Sequence, residues 1–302
     1  MAATEAAAAA RVVVRVLSRH VLPARLQRVR AQLRFRVADT ALVLENVSDA
    51  LNAAACLRTA DALGLQRVHL VNKYVSAKLL APGQTGVDRG ALKWLSVSHH
   101  EHAQACVDAL RAERFLIAAT DLGAGAVDAA AAAQRTLSMA PPLPLPLPPP
   151  PPPLPSPPPP SPPPPPPLPS PLPFASRPRV AVVLGNESRG VSRLMLAAAD
   201  VRFFLPQAGF TQSFNVSVAC GLALSAFLHR TPDYAPRALA AHLVRANGAE
   251  PPAPLAAPAA ADGGVEGLSD EEVELVLAKT LLRDVPSAAA ILDRAGVRPL
   301  DY

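Results

Sequence analysis

Cysteine, aromatic residues and long apolar runs are all scarce in this chain, and each shortage excludes something. Three cysteines in 302 residues, Cys56, Cys106 and Cys220, are odd in number and far apart, with no CxxC pair. That excludes a disulfide framework and a cysteine zinc cluster, and it suits a reducing compartment. Cys220 falls in an apolar helical stretch and reads as a small buried hydrophobe. Only 4% of residues are aromatic, and the alanine runs lack the Leu, Ile and Phe content of a membrane span, so no membrane segment is expected. Acids are outnumbered 24 to 29 by Lys and Arg, a formal charge of +5 that suits a polyanionic partner. The length accommodates a domain of about 150–200 residues with extensions.

Proline is abundant but confined. Residues 141–173 contain 24 of the 36 prolines, with Leu and Ser making up the rest of that run. Such a tract has no backbone donors for a helix or sheet and should form polyproline II, reaching about 100 Å if fully extended. It reads as an insertion within a domain, either a tolerated low-complexity expansion or a docking site for a polyproline-binding partner. The N-terminus is also biased: residues 11–36 hold eight arginines and no acid. Residues 1–17 read as a targeting or disordered segment, and 18–39 as a basic helical extension from about Pro23 to Arg36. Plastid, mitochondrion and cytosol are all compatible with this beginning. Residues 231–267 read as a flexible linker, and 268–302 as a helical appendage opened by the capping box Ser269-Asp270-Glu271-Glu272.

Between these ends, apolar runs and polar turns alternate as in an α/β sheet. Val180 to Leu184 forms a strand buried on both faces, followed by the small polar turn Gly185-Asn186-Glu187-Ser188-Arg189-Gly190. A second strand, Val201 to Leu205, leads through Pro206 and Gly209–Ser213 into a helix over Asn215–Leu228. Polar groups thus gather at the carboxyl ends of two strands, where open α/β sheets place ligands. Upstream, the strand near Ala41–Val47 precedes Asp49-Ala50-Leu51-Asn52 and Arg58-Thr59-Ala60-Asp61, before a strand at Arg67–Val71. Further strands are expected at Phe115–Thr120, and a helix over about 101–114. His99, His100 and His102 fall at that helix start, pointing in different directions, so no metal site is expected.

Together these stretches resemble motifs 1, 2 and 3 of the SpoU/TrmH family of RNA 2′-O-ribose methyltransferases in the SPOUT superfamily. The family reads N-x5-R-T-A-D-x-x-G, then G-x-E-x-x-G, then I-P-M-x-G-x3-S-L-N-V-S. The departures are Ala50 for a usual Pro, Gln207-Ala208 for Met-x, Ser188 for a frequent Gly and Phe214 for Leu. The resemblance implies an α/β domain over 40–230 with a parallel sheet, a deep C-terminal trefoil knot and helical extensions at both ends. It implies S-adenosylmethionine as cofactor, held by Thr120, Gly185, Leu205 and Phe214, mostly through backbone. It nominates Arg58 for catalysis, with Asn52, Glu187, Ser213 and Asn215 around it. An arginine is a poor base, so Arg58 is expected to fix a phosphate, leaving the proton acceptor open. Arg25, Arg28, Arg30 and Arg34 are expected to contact RNA phosphates. The implied substrate is tRNA, at guanosine 18, and the implied assembly a homodimer. An rRNA target, or a non-catalytic RNA-binding scaffold, are the alternatives.

Overall fold

The computed structural model describes residues 2–71, 90–139, 178–247 and 267–297. Its centre is β1 (Val37–Glu45), buried at all nine positions. Strand β2 (Leu65–Val71) pairs with β1 on one side, and β3 (Ser96–His100) pairs with β2. On the other side lie β4 (Phe115–Thr120), β5 (Val127–Asp128), β6 (Arg179–Leu184) and β7 (Val201–Phe204). The order across the sheet is β3-β2-β1-β6-β4-β7-β5, and every pair is parallel. Burial on both faces explains why β1, β4 and β6 are nearly continuous runs of Val, Ala, Leu and Ile.

Alternate residues of β1 serve different layers. Leu42 and Leu44 face α3 (Ala50–Ala62) and α7 (Val216–Leu228), joining Ala53, Leu57, Leu224 and Phe227 in one core. Short helix α5 (Ala129–Leu137) adds Ala132 and Ala133 to that core. Ala41 and Val43 face the opposite layer, where α4 (Ala103–Ala112) supplies Cys106 and Leu110 and α6 (Arg193–Ala198) supplies Met195. All three cysteines are free and buried.

Several sequence expectations change here. The proline run 141–173 lies outside the described residues. Strands β4 and β6 on either side of it pair in register from Phe115/Arg179 to Ala119/Val183, so both belong to one sheet. His99 and His100 lie on β3 rather than at a helix start, and only His102 caps α4, through Nδ1 and the Ala105 N–H at 3.2 Å. β5 and α5, started by the Asp128 N-cap, fill a stretch to which the sequence reading gave no element.

The chain ends form a second core. α1 (Ala2–Leu17) buries Ala10, Val13, Val14 and Leu17, a stripe at helical spacing, against Val273, Leu277 and Leu281 of α9 (Asp270–Asp284). Helices α2 (Pro23–Leu33) and α10 (Ala288–Arg294) complete it through Leu33 and Leu292. Residues 2–17 are therefore packed helix where the sequence suggested a targeting or disordered segment, because the stripe finds its apolar partner some 260 residues later. The linker expected at 231–267 is likewise corrected: α8 (Tyr234–Asn247) occupies its first half, with Tyr234 and Ala240 buried, and 248–266 lie outside the described residues. The capping box at Ser269 forms as read, with both reciprocal hydrogen bonds present. No helix among the described residues is long and apolar enough to cross a membrane.

Candidate active site

Three turns meet at the carboxyl ends of β1, β6 and β7. The first follows β1, where Asn46 turns the chain at φ 54°, a left-handed conformation that asparagine tolerates better than most residues. Asp49 then caps α3 by accepting from the Leu51 N–H at 2.8 Å, which places Asn52 on the first helical turn.

The second turn is the Gly185–Gly190 loop. Asn186 and Gly190 exchange backbone hydrogen bonds at 3.0 and 2.9 Å, and the Asn186 side chain accepts from the Ser188 and Arg189 N–H groups. Its amide nitrogen donates to the Asn46 carbonyl at 2.8 Å, tying the second turn to the first. Gly185 is required by this closure: a Cβ there would overlap the backbone of Gly190 and Val191. The space a side chain would take at Gly185, a residue expected to meet the cofactor, is occupied by the chain itself. Buried Glu45 braces the loop from below, accepting from the Ser192 N–H at 2.8 Å and hydroxyl at 2.6 Å.

Glu187, at the loop tip, accepts from the Ser48 N–H (3.2 Å), the Ser48 hydroxyl (2.9 Å) and the Asn52 side-chain amide (3.2 Å). Partial burial opposes its ionisation, but these bonds and one from its own backbone outweigh that and hold the carboxyl below the usual range. The third turn ends at Asn215, the N-cap of α7, whose Oδ1 accepts from the Ser217 N–H at 2.8 Å and hydroxyl at 2.6 Å. Its Nδ2 donates to Asn52 Oδ1 at 3.1 Å. The result is a directed chain from Asn215 through Asn52 to Glu187. A carboxylate at one end and a backbone N–H at the other fix the orientation of both amides.

The remaining nominated residues distribute unevenly. Arg58 is exposed on α3 and takes no hydrogen bond among the described residues. Six helical positions separate it from Asn52, about 9 Å along the axis and about 120° around it, so Glu187 orients Asn52 and not Arg58. Ser213 is exposed, as is the whole stretch from Pro206 to Asn215. Thr120, Gly185 and Leu205 stand at or just beyond the ends of the neighbouring strands β4, β6 and β7, and Phe214 is exposed on the loop between β7 and α7. The Thr120 hydroxyl is committed to the Val183 carbonyl at 3.2 Å, which leaves backbone to face a ligand. Of the four arginines expected to meet RNA, Arg25 pairs with Asp284 at 2.9 Å and Arg30 with Glu274 at 3.1 Å. Arg28 and Arg34 are exposed without an ion pair among the described residues. Ser48, Glu45 and Ser192 were not nominated from sequence; the only signal was a carboxylate directly after the apolar run Ala41–Leu44.

Among the described residues one cluster has metal-ligand chemistry. His69, His100 and Cys106 bring their donor atoms within 4.8 Å of one another, the histidines from adjacent strands and the thiol from α4. The imidazoles already bond to each other at 3.0 Å. Burial, then His100 and Arg67, push His69 down to about 4, and burial with Glu45 pushes the Cys106 thiol up to about 12. Holding an ion would cost this trio its hydrogen bond and its thiol proton.

Comparison with known proteins matches these features. The family model for the SpoU rRNA Methylase family covers residues 39–141 and 163–225, its gap falling within the proline run. A tRNA (guanosine(18)-2'-O)-methyltransferase of Borreliella burgdorferi is 24% identical over 215 residues, 71% of this chain and 78% of that protein. One of the same name from Thermus thermophilus is 28% identical over 201 residues, covering 67% and 80%. A crystal structure of the Aquifex aeolicus TrmH/SpoU tRNA modifying enzyme shares the fold, with a TM-score of 0.56 at 21% identity over 87% of this chain and 98% of that one. With more than half of its length matched and the turns of all three motifs meeting in one network, the chain belongs to the SpoU rRNA Methylase family.

Proposed function

We propose that the protein transfers a methyl group from S-adenosylmethionine to a ribose 2′-hydroxyl of RNA, at guanosine 18 of tRNA. The observation that carries this is the Asn215–Asn52–Glu187 chain, which draws one polar residue from each of the three motifs to the carboxyl end of the sheet. Relatives of that activity align over two thirds or more of their own length.

The residues present fit the cofactor: backbone at the ends of three adjacent strands, with Phe214 exposed on the loop between β7 and α7, offers peptide groups and apolar surface. S-adenosylmethionine, when bound there, supplies an already activated methyl group, so the chain's work is orientation. Asn52 and Asn215 hold the ribose in a geometry that Glu187 and Ser217 fix from either end. Glu187 is ionised and, being held low, is a weak base; its role is alignment. Arg58 neutralises the phosphate beside the reacting ribose. A trefoil knot belongs to this reading, supported by the separate insertion of β6 and β7 on either side of β4. So does a homodimer, supported by Leu51, Phe214, Val218 and Leu222, apolar yet exposed on α3, α7 and the loop between β7 and α7.

Incubation with labelled cofactor and bulk tRNA or rRNA, followed by mapping of the modified ribose, tests the activity. Label confined to rRNA moves the target, and label in neither overturns the reading. Arg58→Ala is expected to lower turnover by about 10²–10³-fold with cofactor affinity retained. Near wild-type methylation by that variant removes Arg58 from the mechanism.

A further inference from the structure

A cleft of about 540 Å³ opens at the opposite end of the sheet, where β1, β2 and β3 begin, between α2 and α8. Nine residues of β1 put it roughly 30 Å from the Asn52–Glu187 network, so it is not part of that site. Four guanidiniums line it: Arg28, Arg36, Arg237 and Arg245. The carboxylate in its lining, Asp61, is already bound to Arg36 at 2.6 Å.

The two inner cations are fixed. Arg36 also donates to the Gln66 side chain and the Trp94 carbonyl, and Arg237 donates to the carbonyls of Arg34, Phe35 and Arg36. The two outer ones, Arg28 and Arg245, are exposed at the rim. Between them the wall is apolar, formed by Leu63, Trp94 and Tyr234, whose hydroxyl is spent on the Leu63 carbonyl.

We propose that this cleft binds a nucleotide unit, with the base against the apolar wall and the phosphate between Arg28 and Arg245. A flat ligand carrying an anion matches both the apolar wall and the cationic rim, and the volume holds one such unit. Two sources share this chemistry, a free mononucleotide and an unstacked nucleotide of a bound RNA. The second rests on the proposed function, and would anchor the RNA about 30 Å from the reacting ribose.

Trp94 is the single tryptophan of the chain and lines the cleft, so its fluorescence reports occupancy. Guanosine 5′-monophosphate titrated into the full-length protein is expected to change that signal saturably. Guanosine without phosphate should bind at least about tenfold more weakly, as should the monophosphate to the double variant Arg28→Ala/Arg245→Ala, since each loses charge-assisted bonds. Thermal melting of the variant checks that it folds. Displacement of the monophosphate by tRNA assigns the cleft to the RNA, and its retention assigns the cleft to a free nucleotide. No saturable signal with either ligand at millimolar concentration, or an unchanged titration in the folded variant, overturns the proposal. Methylation assayed on the same preparation separates the two readings: an inactive protein that still binds the monophosphate loses the proposed function and keeps the cleft.

Discussion

The two ends of the sheet are built on opposite plans. At the carboxyl end, amides, hydroxyls and the carboxylates of Glu45 and Glu187 bond to one another, and the turns that carry them close on their own backbone. At the amino end, guanidiniums dominate and are held by carbonyls from residues some 200 positions away. The first arrangement orients a neutral hydroxyl and so needs direction more than charge. The second faces an anion and needs charge more than direction. The difference teaches that one basic chain can keep its alignment machinery nearly free of cations by placing them at the far end.

Substitutions should separate the ends. The largest effect is expected for Gly185→Ala, because the new methyl group meets backbone that cannot move aside. The cost should reach or exceed the ~3 kcal/mol of ordinary overpacking. Methylation should vanish while Trp94 fluorescence stays native in whatever folded protein remains; retained methylation would show that the loop closes differently. Leu17→Ala empties a fully buried site in the core of the chain ends and should cost about 2–5 kcal/mol, measured by denaturant unfolding. A value near zero would mean that α1 does not pack on α9 in solution.

Within the acid limb of stability, the share that Glu187 contributes probes the carboxyl end. The folded-state carboxyl of Glu187 is held below its ordinary value, so its contribution is present above that value and disappears as pH falls through the lowered one. Thermal melts from about pH 6 to 3 should therefore be flatter in Glu187→Gln than in the wild type. An unchanged acid limb would place the Ser48 and Asn52 bonds elsewhere. The smallest effect is expected for Arg25→Ala, whose pair with Asp284 is largely exposed and is worth about 0–1 kcal/mol. A large loss of stability there would show that ion pairs, and not the apolar stripe, join the chain ends.

Legibility followed range. The motif resemblance named Asn52, Glu187 and Asn215, and apolar runs marked the strands near 115–120, 180–184 and 201–205, because each signal depends on a few neighbours. Glu45 and Ser48 escaped notice, since their partners Ser192 and Glu187 lie about 140 residues away. The histidines misled for the same reason: His99, His100 and His102 were read at a helix start, whereas β2 claims residues 96–100 for the sheet.

What the amino-acid sequence determined alone was local: parallel strands buried on both faces, turns that only Gly and Asn fill, and a capped helix opening at Asn215. Tertiary structure decided which turns meet, that Gly185 yields its space to Gly190 and not to a ligand, and that the first and last helices form one core. Backbone preference and apolar periodicity act over a few residues and can be read in order. The bonds from Asn52 to Glu187 and from Arg237 to the carbonyls near β1 join residues more than 130 positions apart, and only the folded chain brings them within reach.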